Sequence, residues 1–574
     1  MSATAPRSTA DPRSTAGPVS TAGPVSTAGP VSTAGDARGY PGAAGLRAAL
    51  AAAAAAGTAF DPARLAAADA EAAFPAAECA LLDDLGLPEL YTAGRWDTAG
   101  GLAEVHEALT VVAEFDVTTA VAHGKTFLGA MPVWINGSPE QQQRMAAEVR
   151  AGAVVAWGLT EPERGADLVA GSTRAVPRPG GGWELTGVKW PINNATRCRW
   201  MTVLARTDDQ PGPGAFSTFL VDKHRLPAGS WQPLPKEPTH GIRGADISGI
   251  RFDAAVLGPE ALLGRVGSGL ETTLRALQLT RIVSTSLSVG AGRRAVELAA
   301  DAVSGRQSGG RALAELPHVR REFARARAAL ALVEAGIAAV VAGYERDPAS
   351  VAATSALLKA AAPSIVQDCV LDPMAEVLGA RGFLTGVHRD GWFARLDRDH
   401  RIVPIFDGST EVNRAALALQ FAQLAREPAG AVATPGRSAR SRLRLATRSG
   451  LDLLGRPLPE RLAGVAPEAL AGLEQARVEL LARLAAHRPA GRQEPAATFE
   501  TARTLELLYL AAAVAGQATT ETQAETRSET GTHSETGTHS ETETHAEAHA
   551  EAMALAWRLV QPATADPAGR ELAS

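Results

Sequence analysis

Cysteine is scarce in this 574-residue chain. Cys79, Cys198 and Cys369 stand apart with neither pairing nor metal-ligand spacing, which excludes a disulfide scaffold or a zinc ribbon and fits a reducing compartment. A basic excess is also lacking: the formal net charge is −6, and the isoelectric point of about 6.1 leaves no footprint for DNA or RNA. No apolar run approaches the ~20 residues of a membrane span, and the N-terminus has no apolar signal core, so a cytoplasmic protein is expected. No G-x-G-x-x-G follows a strand-like stretch, which argues against a Rossmann phosphate loop.

What is present is 45% hydrophobic and 21% charged content, enough for several cores. Residues 1–43 carry "STAGPVSTAGPVSTAGPVSTAG", a proline-interrupted repeat with nothing to pack, read as a disordered tail. From 44 to 154 the alanine- and leucine-rich text has helical spacing, and "NGSPEQQQRMAAEVRAG" marks a helix start, with Ser138 as cap, Pro139 in the first turn and Gln141 closing a capping box. Residues 155–266 turn to short alternating runs such as "GGWELTGVKW" and "FSTFLVDK", which predict a β domain. Helical spacing returns over 267–426 in stretches such as "HVRREFARARAALALVEAGIAAVVAGYE". Residues 427–574 read as a further helical section, broken at 517–550 by a Glu/Thr/His tract too polar to bury. Its His533, His539, His545 and His549 have no rigid element to bring them together, so no metal site is expected.

The stretch "AWGLTEPERGADL" at 156–168, followed by "LTGVKWPINNATR", resembles the paired signatures of acyl-CoA dehydrogenases, with agreement at Leu159, Thr160, Glu161, Pro162, Gly165, Ala166 and Asp167. The likeness continues through "GIRGADISGIRFDAAVLGPEALLG", "EVLGARGF" and "RLDRDHRIVPIFDGSTEVNR", and covers roughly 45–425. It implies a mostly α fold: an N-terminal helical domain, a middle β domain and a C-terminal four-helix bundle, here with extra C-terminal helices. It also implies FAD, bound without a Rossmann fingerprint. On the first signature the resemblance nominates Trp157, Leu159, Thr160 and Ala166 for the cofactor, Thr160 at the flavin's pyrimidine edge. On the second, Pro191 and Asn193 stand where the family places an aromatic and a hydroxyl; Pro191 can lie flat on the ring and the Asn193 amide can donate in the hydroxyl's place, while Trp190, one residue off, faces the other way. "SGRQSGG" nominates Arg306 for a diphosphate, and "EVLGARGF" nominates Glu376 and Ala380. A solvated helix-end arginine is the alternative for Arg306, and a strand-end turn residue for Thr160.

In "IFDGSTEVNR", Asp407 stands where the family carries its catalytic glutamate, with Gly408 beside it; the resemblance nominates Ser409 and Glu411 for the cofactor and Arg281 of "QLTRIV" as a substrate contact. A base there takes the α-proton of an acyl thioester while the β-hydrogen leaves as hydride, and Gly408 lets a backbone N–H and the carboxylate reach one substrate. Burial beneath an acyl chain raises a carboxylate's pKa, which suits a base near neutrality. Thr280, the position of an alternative base in some relatives, cannot serve. Asp407 as the N-cap of the following helix remains the structural alternative. The resemblance implies α,β-dehydrogenation of an acyl-CoA or acyl-carrier-protein thioester to the trans-2-enoyl product, a homodimer or homotetramer, and an electron-transferring flavoprotein as acceptor. A nitroalkane-oxidase-like flavoenzyme or a non-catalytic binding protein of the same fold are the alternatives. Arg437, Arg440, Arg442, Arg444 and Arg448 make a basic cluster at the start of the extension, yet its helices lack an interfacial aromatic face, so packing rather than membrane contact is expected.

Overall fold

The computed structural model describes residues 39–421, 452–487, 496–529 and 539–561. The repeat tail, the 437–448 arginine cluster and His533 lie outside the described residues.

Seven helices come first: α1 (Gly42–Ala55), α2 (Pro62–Ala70), α3 (Ala76–Asp84), α4 (Leu87–Leu90), α5 (Gly101–Phe115), α6 (Val117–Asn136) and α7 (Pro139–Arg150). The start of α7 is the capping box read from the sequence: Ser138 accepts from Gln141 N–H, and the Gln141 side chain accepts from Ser138 N–H. Helices α5 and α6 are apolar on nearly every face and correspondingly buried, and Asp116 between them caps α6 through Thr119 N–H.

The middle domain is one eight-stranded sheet of β1 (Val155–Gly158), β2 (Arg174–Pro177), β3 (Trp183–Asn193), β4 (Trp200–Arg206), β5 (Phe216–Asp222), β6 (Trp231–Leu234), β7 (Ile247–Leu257) and β8 (Leu262–Leu263). Its order is β6-β7-β3-β2-β4-β5-β8, with β1 joined to β4 in parallel. Between Lys189 and Ile192 the β3–β7 register slips, and Pro191, which has no N–H to give, sits in that irregularity.

The bundle is built on α8 (Gly269–Ser284), α9 (Ser286–Val303), a two-strand hairpin β9 (Gln307–Ser308) and β10 (Arg311–Ala312), α10 (Pro317–Arg346) and α11 (Ala352–Val366). It continues through α12 (Asp372–Leu378), α13 (Ala380–Phe383), α14 (Trp392–His400) and α15 (Thr410–Ala418). Contrary to the sequence reading, α10 is long and apolar enough to cross a membrane, with a window of mean hydropathy 1.7; it is a core helix, with both faces engaged by α9, α11 and the extension. The extension supplies α16 (Pro467–Ala486), α17 (Ala496–Glu529) and α18 (His539–Val560), and α17 and α18 pack on α10. At Gly336 of α10 an added Cβ would meet Leu510 Cδ2 at 2.1 Å, so glycine sets how closely α17 approaches.

The 517–550 tract differs from the expected loop. Helix α17 runs on to Glu529 and α18 starts at His539, so both flanks are helical. Its Glu, Ala and Gln are good helix formers, and extending a helix already nucleated by the buried 502–515 segment needs no new nucleus.

Candidate active site

Helix α14 ends at His400, and residues 401–409 turn over the bundle to reach α15. Ser409, not Asp407, caps α15: its hydroxyl accepts from Val412 N–H at 3.2 Å. Asp407 is thereby free of the capping role. It has φ 54° and Gly408 φ 89°, two successive left-handed residues that swing the carboxylate inward. An aspartate in that region is strained, and the surrounding bonds hold it there. Arg281 Nε donates to the Asp407 carbonyl at 3.3 Å, Asn413 Nδ2 to the Gly408 carbonyl at 2.8 Å, and Lys359 Nζ to the Val403 carbonyl at 2.5 Å and the Gly408 carbonyl at 3.5 Å.

The Asp407 side chain is 7% exposed. Its Oδ1 faces Lys125 Nζ of α6 at 3.3 Å, and its Oδ2 is buried with no partner among the described residues. The Lys125 ammonium also lies over the Phe406 ring, 4.7 Å from its centre. A cavity of about 30 Å³ opens beside them, walled by Leu109, Val121, Leu128, Leu287, Lys125 and Phe406. Burial pushes the Lys359 amine down to about 7, with the Arg281 and Lys125 charges adding and Asp407 opposing. Burial likewise lowers the Arg281 guanidinium to about 10 against the pull of Asp407.

Lys359 makes the fold's stability depend on pH. The unfolded amine titrates near 10.5 and the folded one near 7, so between those values the unfolded chain holds a proton that the fold does not. Stability therefore rises from about pH 7 towards 10.5, and below 7 the charged amine weighs fully against the fold. Lys359→Met should flatten that rise in urea unfolding series.

The residues nominated on the β domain gather at the end of β1 and β3. Thr160 Oγ donates to the Pro191 carbonyl at 2.9 Å, and Thr160 O accepts from Trp190 N–H. Ala166 and Pro191 are exposed, Leu159 and Thr160 partly so, and Trp157 is buried. Trp190 turns away as expected, its indole N–H donating to Glu237 at 2.9 Å. Asn193 gives one amide hydrogen to the Val121 carbonyl at 3.2 Å, and its acceptor Oδ1 is buried and unpartnered among the described residues. Val121 and Lys125 are one helical turn apart on α6, so one face of that helix joins the Asn193 strand end to Asp407.

Glu161 was read only as part of a motif, and its work is structural. It accepts from Lys189 Nζ at 2.8 Å, from Ser172 N–H and hydroxyl, and from Thr173 N–H, tying the 160s loop to β2 and β3. Burial alone would raise its carboxyl; Lys189 and these hydrogen bonds outweigh that and hold it at about 2.

Arg306 donates to Ala302 O at 3.5 Å beside the β9–β10 hairpin, and Arg381 donates to the same carbonyl at 3.3 Å, which puts Arg306 next to the 376–381 segment. Glu376 and Ala380 there are exposed. Glu411 is exposed and pairs with Arg414, so the described contacts do not bring Glu411, Arg306, Glu376 or Ala380 to Asp407.

With this geometry the comparisons agree. Residues 156–255 match the middle domain of acyl-CoA dehydrogenases and residues 267–421 their C-terminal domain. The chain carries the middle and C-terminal domains of the acyl-CoA dehydrogenase family. A probable acyl-CoA dehydrogenase of Mycobacterium leprae is 27% identical over 355 residues, 61% of this chain and 88% of the relative. The human mitochondrial short-chain specific acyl-CoA dehydrogenase is 28% identical over 356 residues, 61% of this chain and 83% of its own length. Butyryl-CoA dehydrogenase of Megasphaera elsdenii shares the fold at TM-score 0.59 and 19% identity, over 65% of this chain and 96% of that one. An acyl-CoA dehydrogenase of Bacillus anthracis superposes at TM-score 0.63 and 20% identity over 84% of this chain and 81% of that one, so its match reaches into the extension.

Within this acyl-CoA dehydrogenase fold, Lys125 and Lys359 are the residues that sequence reasoning missed. A signal for them exists: of 56 Lys and Arg, only five are Lys, at 125, 189, 223, 236 and 359, leaving 51 Arg. Each of the five holds a carboxylate or a backbone carbonyl.

Proposed function

We propose that the chain is an FAD-dependent dehydrogenase of acyl thioesters, forming the trans-2-enoyl product, with Asp407 as the base. The observation that carries this reading is the Asp407 carboxylate itself: held inward by a left-handed turn, excluded from capping, and left with one buried, unpartnered oxygen beside an apolar cavity. The residues present fit FAD: Asn193 Oδ1 and the Trp157 indole N–H are among the buried polar atoms without partners in the described residues, and they lie at the strand ends where the cofactor is expected. Thr160, Pro191 and Asn193 would hold the ring system and Arg306 a diphosphate. Bound there, FAD supplies the two-electron acceptor for the β-hydride.

The chain's own part is to bind the acyl group against the Phe406–Asp407 loop, where the small cavity must widen to admit it, to exclude water with the apolar side chains of α5, α6 and α9, and to receive the α-proton on Asp407 Oδ2. Backbone N–H groups of the 407–409 turn would donate to the thioester carbonyl as negative charge collects there. The bacterial and mitochondrial relatives carry acyl-CoA dehydrogenase names, which supports a coenzyme A thioester; a carrier-protein thioester, an oligomer, an electron-transferring flavoprotein as acceptor and a cytoplasmic location are part of the same proposal.

The Lys125–Asp407 pair favours a second reading as well, since a carboxylate that must exchange a cation for a proton suits a more acidic carbon, such as that of a nitroalkane oxidised by a flavin oxidase. Purified protein should be yellow and release FAD on denaturation, and anaerobic mixing with acyl-CoA thioesters should bleach it. A colourless protein that stays so after FAD is added would overturn the reading; bleaching by nitroalkanes alone, with rapid reoxidation by oxygen, would replace it with the second.

A further inference from the structure

Charge around Asp407 does not balance. Lys125 from α6, Arg281 from α8 and Lys359 from α11 converge on the loop, and Asp407 is the single carboxylate among the charges acting on Lys359. The next acid along the chain, Glu411, is exposed and turned to Arg414. Even with the Lys359 amine held down to about 7 by burial, Lys125 and Arg281 remain two full charges against one. A mostly buried excess of positive charge is costly unless an anion joins it.

Lys125 is the cation placed to receive that anion. Lys359 is engaged by the Val403 carbonyl and Arg281 gives its Nε–H to the Asp407 carbonyl, whereas Lys125 borders the cavity that the acyl group is proposed to enter, with its Nζ against the Asp407 Oδ1 edge and the Phe406 ring and 18% of its side chain exposed. A lysine here, in a chain with 51 Arg and five Lys, supplies a compact point charge with three donors, enough to hold Asp407 and a second carboxylate together.

We propose that Lys125 is a specificity-determining residue that selects acyl thioesters whose acyl chain ends in a carboxylate. The inference rests on the thioester reading above. With the α-carbon at Asp407 Oδ2, and Lys125 only 3.3 Å from Oδ1, the second carboxylate lies two or three bonds beyond the α-carbon, which fits succinyl or glutaryl chains and excludes long dicarboxylates. The two full charges, Lys125 and Arg281, then face two anions, and the ammonium that steadies Asp407 also anchors the far end of the substrate.

The test is anaerobic titration calorimetry of the FAD-loaded full chain with succinyl-CoA and glutaryl-CoA against butyryl-CoA and pentanoyl-CoA, with flavin bleaching recorded in parallel. The expected result is at least roughly tenfold tighter binding of one dicarboxylyl thioester than of its apolar counterpart, lost in Lys125→Met and kept in Lys125→Arg. A smaller preference in the parent, or one that survives Lys125→Met, overturns the proposal. Should Lys125→Met fail to fold, the parent panel decides alone. Preferential glutaryl-CoA binding without bleaching by any thioester removes the dehydrogenase reading and leaves recognition by Lys125 standing; bleaching by all four thioesters with no preference does the reverse.

Discussion

Asp407→Asn should keep its FAD and slow anaerobic flavin reduction by acyl thioesters by at least ~10²–10⁴-fold, the usual contribution of a positioned general base. The substitution preserves size and the left-handed turn, which asparagine tolerates well. The bonds that hold the loop come from Arg281, Lys359 and Asn413 to backbone carbonyls and do not involve the Asp407 side chain. Ser409 remains to cap α15, while loss of the carboxylate facing Lys125, Arg281 and Lys359 should lower the melting temperature; a large loss of rate in protein that is still folded and FAD-loaded is the signature of lost proton abstraction. Asp407→Glu adds one methylene and restores the residue usual in the family, at the cost of pushing the carboxylate towards Lys125. Rapid-mixing absorbance of the flavin, beside thermal melts, checks both variants; reduction by the Asn variant at the parent's rate would make Asp407 a loop residue only.

The second large effect lies where the extension meets the catalytic loop. Arg414 of α15, five residues after the Ser409 cap, grips Glu506 of α17 with Nε at 2.9 Å and Nη2 at 3.0 Å. The Glu506 side chain is 3% exposed, and burial pushes its carboxyl up against the pull of Arg414. Arg414→Leu should lower unfolding stability by about 3–5 kcal/mol, because it strands a carboxylate in an apolar interface, and adding Glu506→Leu should recover much of that loss. Urea unfolding of the parent, both single variants and the double variant measures the pair. The extension is thus bolted to the helix that follows the base, and truncation ahead of it would strip Arg414 of its buried partner, leaving only the exposed Glu411.

The succession of helices, sheet and helices was legible because periodicity changes sharply at 155 and 267, and the α7 capping box because its chemistry is local. The Asp407 turn was legible from a short motif. What the sequence hid is what depends on distant packing. Lys125 lies 282 residues from Asp407 and Lys359 lies 49 residues from Gly408, so neither carries a local motif to mark it. The bond from the Asn193 amide to the Val121 carbonyl, 72 residues away, was equally hidden from the sequence. The 517–550 tract was read by polarity alone, whereas its first part, to Glu529, continues the helix of the buried turns before it.

The central claim is that Asp407 takes a proton from the carbon next to the thioester. Its most direct test is the rate of anaerobic flavin bleaching with a bleaching-competent acyl-CoA carrying hydrogen or deuterium at the α-carbon, in the parent and in Asp407→Asn. The account predicts a clear primary isotope effect in the parent and at least ~10²-fold slower bleaching in the variant. Bleaching that is insensitive to α-deuteration and equally fast without the carboxylate would contradict it.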